Sequence, residues 1–211
     1  MKRIFCAGFL CALLLGLFAC GEAEPEAKIT AAGATALAAA ATEAPMADTR
    51  AYAPIIAAYS GFLRGADVDV DGATAAFLRA AGTPEAFSYQ MESSLFELSL
   101  DGKESLGYSV YDINGDGVPE LIVRSEDFFT IYSIFTLRGG KPVLLGAYWS
   151  RSRCMLAANG TLYYDGSSGA DDSVSLILTL PPVGTAFEER EADPAESGLH
   201  NPMILDFTPI T

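Results

Sequence analysis

Short runs of β-branched and aromatic residues alternate with glycine-containing turns through most of the chain after Leu95, and this alternation limits the fold more than any other feature. Short strands joined by such turns pair as antiparallel hairpins, and Asn-Gly and Gly-Gly pairs are typical of tight hairpin turns. The pattern therefore predicts an antiparallel meander. The predicted strands cover residues 96–100, 108–112, 120–124, 130–137, 143–149, 155–157, 161–164 and 173–179. The predicted hairpin turns are Asp101-Gly102, Gly139-Gly140 and Asn159-Gly160.

Two stretches before the strands have helical periodicity. Apolar residues recur at the spacing of one helix face over residues 54–63, where Pro54 suits a first turn. A second, shorter helix is predicted over residues 73–81, with Asp71 as its N-cap and Gly82-Thr83-Pro84 as its end. We therefore expect an α+β fold in which N-terminal short helices are followed by a predominantly antiparallel β meander.

The first twenty residues have the layout of an export signal. Lys2 and Arg3 precede an apolar run that is too short for a membrane-spanning helix, which needs about 20 apolar residues. The run ends in Leu17-Phe18-Ala19-Cys20, which resembles the lipobox of bacterial lipoproteins, although Phe18 is bulkier than the residue usual there. The resemblance implies cleavage before Cys20 and a lipid on its thiol. The alternatives are an ordinary secretory signal with a chance cysteine and a retained membrane helix.

This interpretation divides the chain into three parts. Residues 1–19 are the predicted lipoprotein signal peptide, and residues 20–49 are a predicted flexible tether rich in Ala, Thr and Glu. The alanine-rich run at 31–44 has one large apolar residue, Leu37, so an isolated helix there would be marginal. Residues 50–211 then form a single globular β-rich domain, of ordinary domain size. The expected location is the outer face of the cell membrane, or the outer membrane if the source has one.

The charge of the chain bears on its partners. Removal of residues 1–19 takes away two cations and no acids, so the formal net charge goes from −14 to −16. A surface this acidic disfavours nucleic acid and anionic lipid headgroups, and it attracts divalent cations. The expected partners are the membrane, through the lipid on Cys20, and an unknown protein or envelope component, with no nucleic acid.

One cysteine falls in the predicted domain. Cys6 and Cys11 lie in the predicted signal and Cys20 in the lipobox, which leaves Cys154 alone and predicts no internal disulfide. In the sequence Ser-Arg-Cys-Met-Leu, Cys154 is predicted to be a small core residue rather than a reactive thiol.

A loop between two predicted strands has the spacing of a calcium site. Side-chain oxygens at loop positions 1, 3, 5 and 9 can converge on one centre, position 7 offers its backbone carbonyl, and Gly117 permits the sharp turn. Oxygen ligands without His or Cys favour Ca²⁺ over transition metals. The predicted ligands are Asp112, Asn114, Asp116, Val118 and Glu120. The alternative is an Asx-rich turn that holds no ion, because Asn and Asp favour such turns.

The loop differs from a helix–loop–helix EF-hand, because position 12 is Val123 rather than Glu and position 8 is Pro119. Residues 108–123 instead resemble the strand–loop–strand calcium motif of FG-GAP/VCBS-type repeats. They also resemble a group of small uncharacterised bacterial lipoproteins with a core of the form Y-x-x-Y-D-I-D/N-G-D-G-x-P-E-L-I. The resemblance implies propeller-like hairpins and a structural calcium ion. The chain has one such repeat, so a closed propeller is not expected.

A second acidic stretch, Asp67-x-Asp69-x-Asp71-Gly72, has the first half of the same spacing. Position 9 is Ala75 and position 12 is Leu78, so no later carboxylate completes the ligand set. We therefore predict an acidic linker that ends in a helix cap, and a second ion remains the alternative.

No sequence motif of a known catalytic centre is found. The single histidine, His200, lies in a polar turn, and the chain has no nucleophile elbow, Walker lysine motif or Rossmann glycine pattern. We predict a non-catalytic, membrane-anchored binding module. The alternative is a hydrolase of envelope polymer or peptide that uses acidic residues such as Asp171-Asp172 or Glu188-Glu189.

Two aromatic pairs are candidates for a ligand platform. They are Tyr148-Trp149 and Tyr163-Tyr164. Adjacent strand residues point to opposite faces of a sheet, so one ring of each pair is predicted to lie in the core.

Overall fold

The computed structural model describes residues 49–65, 69–82, 87–101, 105–127, 130–167, 169, 172–193 and 201–211. Within these residues three α-helices precede nine strands, which form two antiparallel sheets, so the α+β prediction is confirmed and neither a barrel nor a propeller closes there. None of the described helices combines the length and apolarity needed to cross a bilayer. Cys20, the predicted signal segment and the predicted tether up to residue 48 lie outside the described residues.

The helices lie at the start of the described chain. A short 3₁₀ turn, Thr49–Tyr52, leads into α1 (Ala53–Arg64), which is followed by α2 (Val70–Ala80) and α3 (Ser88–Asp101). The predicted helix at 54–63 is confirmed, with Pro54 in the first turn of α1.

The first sheet has the strand order β4-β3-β2-β1-β9. All its pairings are antiparallel, and the β3–β4 hairpin turns at the predicted pair Gly139-Gly140. Its strands are β1 (Leu106–Tyr111), β2 (Glu120–Ser125), β3 (Ile131–Arg138), β4 (Lys141–Ala147) and β9 (Thr208–Pro209).

The second sheet has the order β5-β6-β7-β8, also antiparallel throughout. The predicted Asn159-Gly160 turn connects β5 to β6, and β8 exposes all four of its residues at one edge. Its strands are β5 (Ser152–Leu156), β6 (Leu162–Ser167), β7 (Ser173–Thr179) and β8 (Glu188–Glu191).

The first sheet separates two hydrophobic cores. Alternate residues of β2 point to opposite faces, so Leu121 packs with the helices, whereas Ile122 packs with residues of the second sheet. All six residues of β2 are buried, as expected for a central strand covered on both sides. Cys154 is buried in the second core, as predicted, and burial raises the pKa of its thiol to about 12.

The predicted strand at 96–100 is wrong, because these residues belong to α3. Phe96, Leu98 and Leu100 alternate with polar residues, which resembles a strand pattern. Met91, Leu95 and Leu98 are fully buried at helical spacing, whereas Leu100 remains 65% exposed. Packing of this helix against the first sheet overrides the local alternation. The predicted Asp101-Gly102 hairpin turn is therefore also wrong, since Asp101 ends α3.

The other seven predicted strands are found, with ends within three residues of those predicted. The strands β8 and β9 were not predicted from the sequence. The strand β8 reads Glu-Glu-Arg-Glu and has no apolar alternation, and β9 has only two residues.

The acidic stretch before α2 is a helix cap, but the capping residue differs from the one predicted. The Asp69 side chain accepts a hydrogen bond from the Gly72 N–H at 2.9 Å, and α2 begins at Val70, so Asp71 lies in its first turn. A Cβ on residue 72 would lie 2.2 Å from the Asp69 carboxylate, which explains the glycine there. Asp67 lies outside the described residues.

A buried arginine ties the C-terminal segment to the first sheet. Arg124 is 2% exposed and donates to Ser109 Oγ at 2.9 Å and to the carbonyls of Ser125 and Leu205 at 2.8 and 3.1 Å. Its guanidinium lies 4.9 Å from the centroid of the Phe207 ring. These contacts give the buried cation hydrogen-bond partners in place of water.

Candidate metal centre

The predicted calcium loop connects β1 to β2. The strands pair in register up to Tyr111 opposite Glu120, so residues 112–119 form a closed loop at the end of the hairpin. Gly115 and Gly117 have φ angles of 71° and 84°, a backbone conformation that glycine adopts without the strain of a side chain. Four of the five predicted ligand residues lie in this loop, and the fifth, Glu120, is the first residue of β2 at its end.

Asp112 organises the first half of the loop. Its Oδ1 accepts hydrogen bonds from the N–H groups of Gly115 and Asp116 at 2.8 and 3.2 Å. Its Oδ2 accepts a hydrogen bond from the Gly117 N–H at 2.8 Å. The loop backbone thus wraps around the carboxylate, as in an Asx turn.

Asp116 and Asn114 organise the second half. The Asn114 Oδ1 accepts from the Asp116 N–H at 3.0 Å, and the Asp116 Oδ1 accepts from the Val118 N–H at 2.9 Å. The Asn114 Nδ2 donates to the Asp116 Oδ2 at 3.2 Å. Desolvation alone would raise the pKa of Asp116, but hydrogen bonds from Val183, Val118 and Asn114 outweigh it and hold this pKa below its ordinary value of 3.8.

Glu120 is the buried member of the set. Its side chain is 0% exposed, its Oε2 accepts from the Ile113 N–H at 2.9 Å, and its Oε1 accepts from the Thr136 hydroxyl at 2.9 Å. Burial raises the pKa of Glu120 to about 7, and the charges of Asp116 and Asp112 add to this effect. The carboxylate therefore lies beside two others in a place that water does not reach.

The connection between β7 and β8 contacts the loop. The Val183 N–H donates to Asp116 Oδ2 at 3.0 Å, and the Pro181 carbonyl accepts from Asn114 Nδ2 at 3.2 Å. Arg138 donates to the Gly184 carbonyl and so links this segment to β3. Val183 has a φ angle of +61°, which is strained for a β-branched residue, and its side chain is 74% exposed. The β7–β8 connection therefore holds an unfavourable backbone conformation where it meets Asp116.

These supporting residues were not predicted from the sequence, because they are distant from the loop along the chain. Tyr52 donates to the carbonyl of Pro119 at 2.9 Å, across 67 residues, and Val183 reaches Asp116 across the same separation. Thr136 was part of a predicted strand, but nothing in the local pattern indicates that it faces Glu120. The positive φ of Val183 has no sequence signal, since valine disfavours it.

The donor set has the chemistry that Ca²⁺ prefers, namely three carboxylates and an amide oxygen. Carboxylate and amide oxygens have two lone pairs each, and most of the oxygens here accept a single hydrogen bond, which leaves a lone pair for a cation. Among the described residues, no three His, Cys, Asp or Glu side chains stand arranged around a common metal position. An ion would therefore require carboxylates of this loop to turn from their present hydrogen bonds.

The acidic residues predicted for the alternative hydrolase function do not lie together among the described residues. Glu188 and Glu189 are adjacent on β8 and so point to opposite faces, and both are exposed. Asp172 lines an open cleft at the start of β7. Asp171 and His200 lie outside the described residues, so the structure brings no pair of the predicted acids together within the part of the chain that it describes.

No protein-family model, no curated protein and no solved structure matches the chain.

Proposed function

We propose that this chain is an exported lipoprotein whose domain holds a structural calcium ion in the loop 112–119 and acts as a non-catalytic binding module. The observation that carries the proposal is the fully buried Glu120 carboxyl group beside Asp112 and Asp116. A buried carboxylate needs a compensating charge or a proton. The charged groups that act on Glu120 most strongly are the two acids, and a divalent cation would supply the missing positive charge.

The residues that would hold the ion are those predicted from the sequence. Asp112, Asn114, Asp116 and Glu120 would contribute side-chain oxygens, and Val118 its carbonyl. With calcium the loop charge changes from three negative charges to one. Because Glu120 is also the first residue of β2, the ion would fix the β1–β2 register at its loop end.

The anchor and the location rest on residues 1–20 and their resemblance to a lipobox. A single acyl chain holds a protein only reversibly, whereas two or three hold it stably. Expression with a labelled fatty acid tests this part: the label should enter the parent protein and be absent from Cys20→Ala. Equal labelling of both proteins would overturn the anchor without affecting the calcium loop.

Thermal unfolding of the purified full chain in detergent tests the calcium site. Extracellular modules bind Ca²⁺ with a Kd of about 10⁻⁴–10⁻³ M, so about 10 mM Ca²⁺ should stabilise the protein by about 1–3 kcal/mol. For a domain of this size the melting temperature should rise by about 3–8 °C. Asp116→Ala should abolish the rise, because it removes a ligand.

Asp165→Ala is the matched control, since Asp165 is an exposed acid of β6 outside the loop. It should keep the full response to calcium. The proposal fails if the parent protein melts at the same temperature with calcium and with chelator. It also fails if Asp165→Ala loses the response to the same extent as Asp116→Ala, because the effect would then be general screening of an acidic surface.

A further inference from the structure

An open cleft lies between the start of α3 and the second sheet, away from the loop 112–119. Its volume is about 420 Å³, within the range of about 300–1,000 Å³ typical of small-molecule sites. The residues that define its chemistry are Tyr89, Trp149, Arg151, Ser152, Tyr164 and Asp172. Three of the six are aromatic, and two carry opposite charges.

Two aromatic rings form one end of this cleft. Tyr89 is 69% exposed, and its ring packs edge-on against Trp149 with the centroids 5.8 Å apart. Tyr148, the neighbour of Trp149, is buried in the second core, as predicted for one member of that pair. A tyrosine and a tryptophan held together at the surface are typical of a recognition site rather than of core packing.

The turn that presents Trp149 and Arg151 is fixed from both sides. Trp149 and Ser152 exchange backbone hydrogen bonds of 3.0 and 2.8 Å, which closes a two-residue turn. The Glu97 carboxylate of α3 accepts from the Ser150 N–H at 2.7 Å. On the other side, the Ser167 N–H donates to the Arg151 carbonyl at 2.9 Å. The backbone of the turn is therefore positioned before any ligand arrives, which lowers the entropic cost of binding.

Tyr164 is also held in place. Its hydroxyl lies 3.1 Å from Ser152 Oγ, within hydrogen-bond distance. Its ring lies over Gly166, where a Cβ would stand 2.6 Å from the Tyr164 hydroxyl oxygen, so only glycine leaves room for the ring. In the pair Tyr163-Tyr164 both rings are half-buried. Tyr164 packs against the second core and also lines the cleft.

We propose that this cleft binds a sugar ring of an oligosaccharide. Aromatic faces pack against the C–H face of a pyranose, while a guanidinium and a carboxylate such as those of Arg151 and Asp172 bond its hydroxyls. Val174 is the one aliphatic residue among the described residues of the lining, which does not suit an acyl chain. The net charge of −14 disfavours a nucleic acid. The inference rests on the proposed binding function and names its ligand class, but it is independent of calcium.

Trp149 is the only tryptophan of the chain, so its fluorescence reports directly on the cleft. The probes are cellotetraose, maltotetraose and chitotetraose, titrated to about 10 mM against the purified full chain. The detergent must have no sugar headgroup. At least one probe should change the fluorescence saturably, with a Kd of about 1 mM or lower. Tyr89→Ala and Arg151→Ala should each weaken that binding about tenfold.

Phe96→Ala is the matched control, because Phe96 is a 57% exposed aromatic residue of the same helix outside the cleft lining. It should bind as the parent protein does. The proposal is overturned if no probe gives a saturable change, or if Phe96→Ala weakens binding as much as Tyr89→Ala. It is also overturned if the fluorescence changes with protein concentration alone, since a second copy of the chain then fills the cleft.

The calcium proposal and the cleft proposal are tested independently when each titration is run with calcium and with chelator. Asp116→Ala should keep its oligosaccharide binding while it loses the calcium-dependent rise in melting temperature. In the parent protein, sugar binding without any calcium-dependent rise in melting temperature refutes only the calcium loop, and a calcium-dependent rise without sugar binding refutes only the cleft.

Discussion

Glu120 makes the stability of this protein depend on pH in a direction that can be derived from its surroundings. Burial raises the pKa of its carboxyl group to about 7, against an ordinary value of 4.5 that applies to the unfolded chain. Between these values the folded protein binds a proton that the unfolded chain does not. The free energy of unfolding therefore decreases as the pH rises from about 4.5 through 7, and it levels off above that. At about 1.4 kcal/mol per pH unit, the total loss is about 3 kcal/mol.

Glu120→Gln removes this effect while preserving the size of the side chain. The glutamine carbonyl can still accept from the Ile113 N–H, and its amide can donate to the Thr136 hydroxyl oxygen. We expect the variant and the parent to be about equally stable at pH 5. At pH 8 without divalent cations, the variant should be more stable by about 2–3 kcal/mol. At pH 5 Asp116 remains ionised, because its pKa lies below 3.8.

The assay is urea unfolding followed by circular dichroism, with chelator, at pH 5 and pH 8. Glu126→Gln is the control, since Glu126 is an exposed acid in the turn after β2. The reasoning is refuted if the parent protein is as stable at pH 8 as at pH 5. It is also refuted if Glu120→Gln loses as much stability between pH 5 and pH 8 as the parent protein does. Calcium at about 10 mM should restore the free energy of unfolding of the parent protein at pH 8. It should leave that of Glu120→Gln unchanged, because the proposed site of the variant lacks a carboxylate.

Two further substitutions test the connections of the C-terminal half. Val183→Gly should stabilise the protein by about 0.5–1 kcal/mol, because glycine adopts a φ of +61° without strain and keeps the N–H bound to Asp116; a lower urea midpoint for the variant would contradict this. Arg124→Met should lower the free energy of unfolding by about 2–4 kcal/mol, because the buried carbonyls of Ser125 and Leu205 lose a donor. Urea unfolding measures the loss, and a value below about 1 kcal/mol would show that water replaces the guanidinium.

The sequence predicted the ligand loop because its signal is local. Asp112, Asp116 and Glu120 lie within nine residues of one another, and their spacing with Gly117 describes a turn whatever lies around it. Most strands were found for the same reason, since side-chain alternation and turn residues are features of neighbouring positions. The bulge in β2 between Val123 and Arg124 left no such signal.

The wrong or missing predictions concern segments whose structure depends on contacts between residues far apart in the sequence. Residues 96–100 alternate like a strand, yet Leu95 and Leu98 are buried against the first sheet only if the segment is helical. The cap of α2 is Asp69 rather than Asp71, because three aspartates at alternate positions are locally equivalent as caps. The contacts of Val183 and Tyr52 with the loop depend on the arrangement of both sheets, which short-range patterns do not encode.

The central strand β2 has a consequence for how the molecule can open. Leu121 belongs to the core under the helices and Ile122 to the core under the second sheet, so two adjacent residues of one strand pack in different cores. Neither layer can detach without exposing the other side of the same strand, and the two should exchange their amide hydrogens as one cooperative unit. Because β2 starts at Glu120, a ligand in the loop acts on the strand that both layers share. Slower amide hydrogen exchange caused by a ligand in that loop would therefore extend over the whole folding unit.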